Sequence, residues 1–131
     1  MDAEAAREQP GTNQERDGLM MVELSNAMVR LYKELFGRGP TKVRTSFAGP
    51  DLLVTTLENS LTLIERTMAD AGEHERLRDL RMHFQYLGED DFVETVERIT
   101  GRKVRAFVSG MDTRRDVASE LFYLEPEPAA T

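Results

Sequence analysis

The sequence contains no cysteine, which removes disulfides, thiolate zinc sites and thiol nucleophiles together. It has only two histidines, His74 and His83. On a helical pattern residues so spaced point about 180° apart, so one helix face cannot offer both to a metal. No serine stands in a Gly-x-Ser-x-Gly elbow. No apolar run approaches the ~18 residues of a membrane-spanning helix. The start, Met1-Asp2-Ala3-Glu4, lacks the basic and apolar regions of a secretory signal. Positive charge is scarce too: 17 Lys and Arg against 24 Asp and Glu leave a formal charge of −7. Non-specific nucleic-acid binding needs a net positive stripe, so this balance argues against it. These absences leave no catalytic residue, no metal ligand and no cofactor site. The expectation is a non-enzymatic cytoplasmic protein, bacterial in its Arg-rich, Lys-poor style.

What is present suits one soluble domain. The 131 residues are 40% hydrophobic and 31% charged, enough for a single core and too short for two. Residues 1–16 lack apolar periodicity and read as a disordered tail, 17–124 as one α+β domain, and 125–131 as a flexible tail. Setting aside two basic and six acidic side chains in those tails leaves 15 basic against 18 acidic, a domain charge near −3.

Within the domain, Met21, Leu24, Met28, Leu31, Tyr32 and Leu35 form one helical stripe over 17–36. Gly37 is placed as a left-handed cap, and Pro40 blocks resumption. Residues 42–47 alternate, with Val43, Thr45 and Phe47 on one face; Ala48-Gly49-Pro50-Asp51 is turn chemistry and 52–57 a return strand. Thr62 and Glu65 have capping-box spacing at the start of a short helix, whose stripe would be Leu61, Ile64, Met68 and Ala71. Over 73–100, Leu77, Leu80, Phe84 and Leu87 precede Phe92, Val96 and Ile99; Gly88 interrupts them, leaving one kinked helix or two. Gly101 ends it. A strand over 103–109, with Val104, Ala106 and Val108 on one face, a polar loop over 110–115 and a strand over 116–124 complete the order.

The order is α-ββ-α-α-ββ, expected to give a four-stranded antiparallel sheet with helices packed mainly on one face. It contains an internal pseudo-repeat. Gly37-Arg38-Gly39-Pro40-Thr41-Lys42-Val43-Arg44 and Gly101-Arg102-Lys103-Val104-Arg105 each close a helix and open a hairpin. Apolar residues of both parities in the last two strands leave neither sheet face wholly polar, so a homodimer is expected to cover the second face.

The repeated segments also carry the candidate binding residues. Arg38, Gly39, Lys42 and Arg44 can hold an anion beside accessible amides, and Arg102, Lys103 and Arg105 repeat that chemistry. The plainer reading is a helix cap, a breaker and solvated basic side chains, neutralised across strands by Glu58, Glu120 or Glu125. The glycines follow a helix and precede a strand, the reverse of a P-loop. A small-anion or nucleotide sensor is the alternative function. An RNA-binding module, with Phe47 or Phe107 stacking on bases, is the second alternative.

Ser25-Asn26-Ala27-Met28-Val29-Arg30-Leu31-Tyr32-Lys33, Gly37 to Thr41, Leu61-Thr62-x-x-Glu65 and Thr100 to Val104 resemble the MpsC-like family over about residues 19–125. The resemblance implies an accessory component of a membrane cation or inorganic-carbon transport system that generates membrane potential. It implies no catalytic residue, and a location at most peripheral to the membrane through a partner. The approach to Leu61, Glu58-Asn59-Ser60, departs from the more apolar or Gly-containing approach expected of the family.

Overall fold

The computed structural model describes residues 3–128, with side chains from Gln14 onward. The elements are α1 (Ala3–Phe36), β1 (Lys42–Phe47), β2 (Leu52–Glu58), α2 (Leu63–Asp70), α3 (His74–Leu87), α4 (Glu89–Thr100), β3 (Val104–Asp112) and β4 (Val117–Leu124). Four antiparallel strands run in the order β1-β2-β4-β3. The two hairpins therefore join through β2 and β4, and the α+β class follows.

Three helices separate the hairpins, 73–100 forming two rather than one kinked helix. Gly88 divides the 73–100 segment, and a Cβ there would lie 2.9 Å from Leu35 and 3.0 Å from Phe92. At that point the α3–α4 junction presses on α1. The paired glycines of the pseudo-repeat do have matching roles: Gly37 at φ 79° and Gly101 at φ 72° both turn the chain through left-handed backbone, which favours glycine. Upstream, α1 begins at Ala3 rather than Asp17. Residues 3–16, expected to be disordered, belong to this helix. Residues 1–2 and 129–131 lie outside the described residues, and 125–128 form no regular element.

The sheet's inner face carries Thr45, Leu53, Thr55, Leu57, Ala118, Phe122 and Leu124, all buried. Against it pack Leu24, Met28, Leu31 and Tyr32 of α1 and Phe92 and Val96 of α4. Two expectations about faces change. A bulge between Val104 and Ala106 shifts the register, so Val104 lies opposite buried Leu124 while Ala106 and Val108 lie opposite Tyr123 and Leu121. Phe107 then turns inward, into contact with Phe92 and Phe122. β3 also continues through Met111 to Asp112, so the loop is confined to residues 113–116.

The other change concerns α3. Its buried stripe is Leu77, Arg81 and Gln85, while Leu80 is 38% and Leu87 63% exposed. The helix is rotated from the apolar reading by about one position. In α2, likewise, Glu65 is buried and Ile64 exposed. Polar side chains have displaced apolar ones at three core positions.

Candidate functional site

Those displaced positions form one connected polar network in the core. It begins at the capping box: Thr62 N–H donates to Glu65 Oε1 at 2.8 Å, and Glu65 N–H donates to the Thr62 hydroxyl at 3.3 Å. The same Glu65 oxygen accepts from Arg81 Nη1 at 3.0 Å. Arg81 is fully buried. Its other Nη donates to Ser60 Oγ at 2.8 Å, and its Nε to Gln85 Oε1 at 3.4 Å. The guanidinium carbon Cζ lies over the Phe36 ring, 3.7 Å from its centroid, so one face of the cation is covered by an aromatic ring.

Gln85 carries the chain onward, donating to Ser109 Oγ at 2.5 Å and to Glu120 Oε2 at 3.4 Å. Tyr32 of α1 donates to that same carboxylate oxygen at 2.5 Å. The network therefore ties α1, α2, α3, β3 and β4 together. One atom is left over: Glu120 Oε1 has no hydrogen-bond partner. Burial pushes the Glu120 carboxyl up to about 7, against the opposing pull of Ser109, Tyr32 and Arg81. Burial, then the Glu120 charge, holds the Tyr32 phenol well above its usual range. Tyr32 is accordingly a donor at every physiological pH.

A Tyr32→Phe variant removes that donor. The expected loss is about 1 kcal/mol at pH 5, rising to about 2 kcal/mol at pH 8, where the carboxylate left behind is charged. Urea unfolding at the two pH values measures it; equal losses would separate Tyr32 from the Glu120 titration.

The basic strand starts do not meet. β1 and β3 are opposite edge strands, and Lys42 lies level with Asp112 while Val104 lies level with Leu124. The two clusters thus occupy diagonally opposite corners, three strand spacings of about 4.8 Å apart across the sheet. Arg38 donates to the Leu61 carbonyl at 2.5 Å, and Gly39 is buried against Val29 and Lys33. Lys42 pairs with Glu58 at 3.8 Å, as the cross-strand reading expects, and Arg44 is exposed. Arg102 clamps the turn before β2 to the segment just after β4, donating to Pro50 O and Glu125 O at 2.8 Å and to Asp51 at 2.6 Å. Lys103 is exposed, and Arg105 lies over the Tyr123 ring at 5.5 Å.

Glu120, expected to neutralise those cations, faces inward and belongs to the network. Phe107, expected to stack on bases, is a core residue at 9% exposure. Arg81 and Gln85 carried no local signal of their burial. A capping-box glutamate with a long basic side chain downstream was the one available hint.

Among the described residues no helix is long and apolar enough to cross a membrane. A family model described as the Na+-translocating membrane potential-generating system (MpsC) matches residues 17–126. The chain belongs to the MpsC family. The matched MpsC region opens where the apolar stripe of α1 opens and closes just past β4, so it contains every member of the polar network. Comparisons with curated proteins and with solved structures give no match.

Proposed function

We propose that this MpsC protein is a soluble, cytoplasmic, non-enzymatic accessory subunit of a Na+-translocating, membrane-potential-generating system, acting through protein contacts. The observation that carries the reading is the family match over most of the chain. The polar network supports it from another side. Most of its residues are buried in the core, where they brace the fold. Co-purification with the membrane fraction is the test: recovery of soluble partners alone would count decisively against it.

The second sheet face supplies the contact surface. It presents Leu52, Val54, Leu121, Tyr123, Ala106 and Val108, which are half-buried or exposed. A second copy fits this face. Packing two sheets about a two-fold axis along the strands sets the β1 edge of one copy over the β3 edge of the other. Lys42 and the adjacent Arg44 then meet the level of Asp112. A glutamate at Val108, 43% exposed in one copy, would bury a charge in that dimer. Light scattering is expected to read twice 14.9 kDa for the parent and 14.9 kDa for Val108→Glu. A monomeric parent at high concentration removes the dimer.

A further inference from the structure

At the end of the sheet away from Arg102, an open cleft of about 560 Å³ lies between α3 and the β3–β4 loop. Its size falls within the range of small-molecule sites. Four basic side chains surround it: His74 and Arg78 from α3, and Arg114 and Arg115 from the loop. Three of these are arginines, on a chain whose formal charge is −7.

The surroundings hold part of this set in place. His74 Nδ1 shares a hydrogen bond with the buried Thr113 hydroxyl at 3.0 Å. Asp112 accepts the backbone N–H groups of Arg114 at 3.0 Å and Arg115 at 3.1 Å, and pairs with the Arg115 guanidinium at 3.3 Å. That carboxylate is therefore already neutralised and turns the loop so that its arginines flank the cleft. Arg78 and Arg114 are different. Among the described residues neither has a carboxylate within ion-pair distance, and both are exposed. Glu75 is the remaining acidic group on the rim.

We infer that this cleft binds a phosphate group carried by a larger molecule, with Arg78 and Arg114 as the direct ligands. Guanidinium forks match phosphate oxygens two at a time, and the cleft has room for the substituent. The sequence reading placed anion chemistry at the strand starts; the tertiary structure gathers unpaired arginines elsewhere. The inference stands apart from the accessory role, since it needs neither a membrane complex nor a dimer.

Titration with AMP, pyrophosphate, and vesicles of phosphatidylglycerol or phosphatidylcholine at low salt tests it. The parent is expected to bind at least one phosphate-bearing probe. Arg78→Gln/Arg114→Gln is expected to weaken that binding about tenfold or more, a charge-assisted contact being worth at least that factor. Lys103→Gln/Arg105→Gln, at the opposite end of β3, is expected to keep parental affinity. Both double variants change exposed side chains, so their unfolding midpoints should match the parent's and exclude misfolding as the cause. Binding to AMP or pyrophosphate identifies a soluble ligand; binding to phosphatidylglycerol alone identifies a lipid headgroup. No binding to any probe overturns the inference, as does equal weakening in both double variants.

Discussion

Replacing Arg81 with alanine is expected to remove about 3–5 kcal/mol of folding stability, the usual cost of leaving one partner of a buried ion pair uncompensated. Glu65 would keep its capping bond from Thr62 but lose the cation 3.0 Å away at 6% side-chain exposure. Ser60 and Gln85 would lose their donors, and Phe36 the guanidinium covering its ring. Against a typical domain stability of about 5–15 kcal/mol, that loss takes about a fifth or more. Arg81→Lys should recover only part of it, because an ammonium cannot reach Ser60, Glu65 and Gln85 in one plane or stack on the ring. A paired Glu65→Gln/Arg81→Met change should cost less than Arg81→Ala alone, since it leaves no buried charge behind. Urea midpoints with m-values measure all three. A loss for Arg81→Ala under about 1 kcal/mol would mean that Glu65 finds water once the arginine is gone.

Stability is expected to fall as pH rises from about 4.5 to above 7, with Glu120 responsible. Its folded value of about 7 lies above the ordinary 4.5. The folded state thus holds a proton that the unfolded chain has released, and folding is favoured where that proton is retained. Glu120's contribution is fully present below pH 4.5 and is lost as pH passes through about 7. The difference corresponds to roughly 3 kcal/mol between the two limits, at about 1.4 kcal/mol per unit. Glu120→Gln keeps the shape and removes the titration. Whatever its offset at pH 4.5, its stability relative to the parent should improve by roughly 3 kcal/mol by pH 8. Parallel pH profiles for parent and variant would place the titration on another group. The charged and titratable groups facing Glu120 are Tyr32 from α1 and Arg81 from α3, with Glu65 beyond the arginine. Tyr32→Phe therefore tests the same network from the helix side.

The outcome at α3 shows where sequence reading loses its grip. Its apolar residues predict a stripe through Leu77, Leu80, Phe84 and Leu87, yet the helix buries Leu77, Arg81 and Gln85. An apolar pattern registers side chains that avoid water. It cannot register an arginine whose water is replaced by Ser60, Glu65, Gln85 and a phenyl ring. The α2 start is a mixed case. Thr62 and Glu65 were legible as a capping box because both bonds close within three residues, but the second use of Glu65, toward Arg81, was not.

The sequence by itself determined what local chemistry can decide. Gly37 and Gly101 stop helices because their backbone must turn left-handed there; the hairpins, the α+β class and membership of the MpsC family were legible for similar reasons. Only the tertiary structure decided strand order, the bulge that turns Phe107 inward, and the separation of the two basic strand starts to opposite corners. It alone joined Tyr32 to Glu120 across 88 residues and placed Arg78 and Arg114 on one cleft. A cap or a turn is satisfied by neighbours a few positions away. The burial of a charge, or the meeting of two cations, depends on partners that only the assembled fold brings within reach.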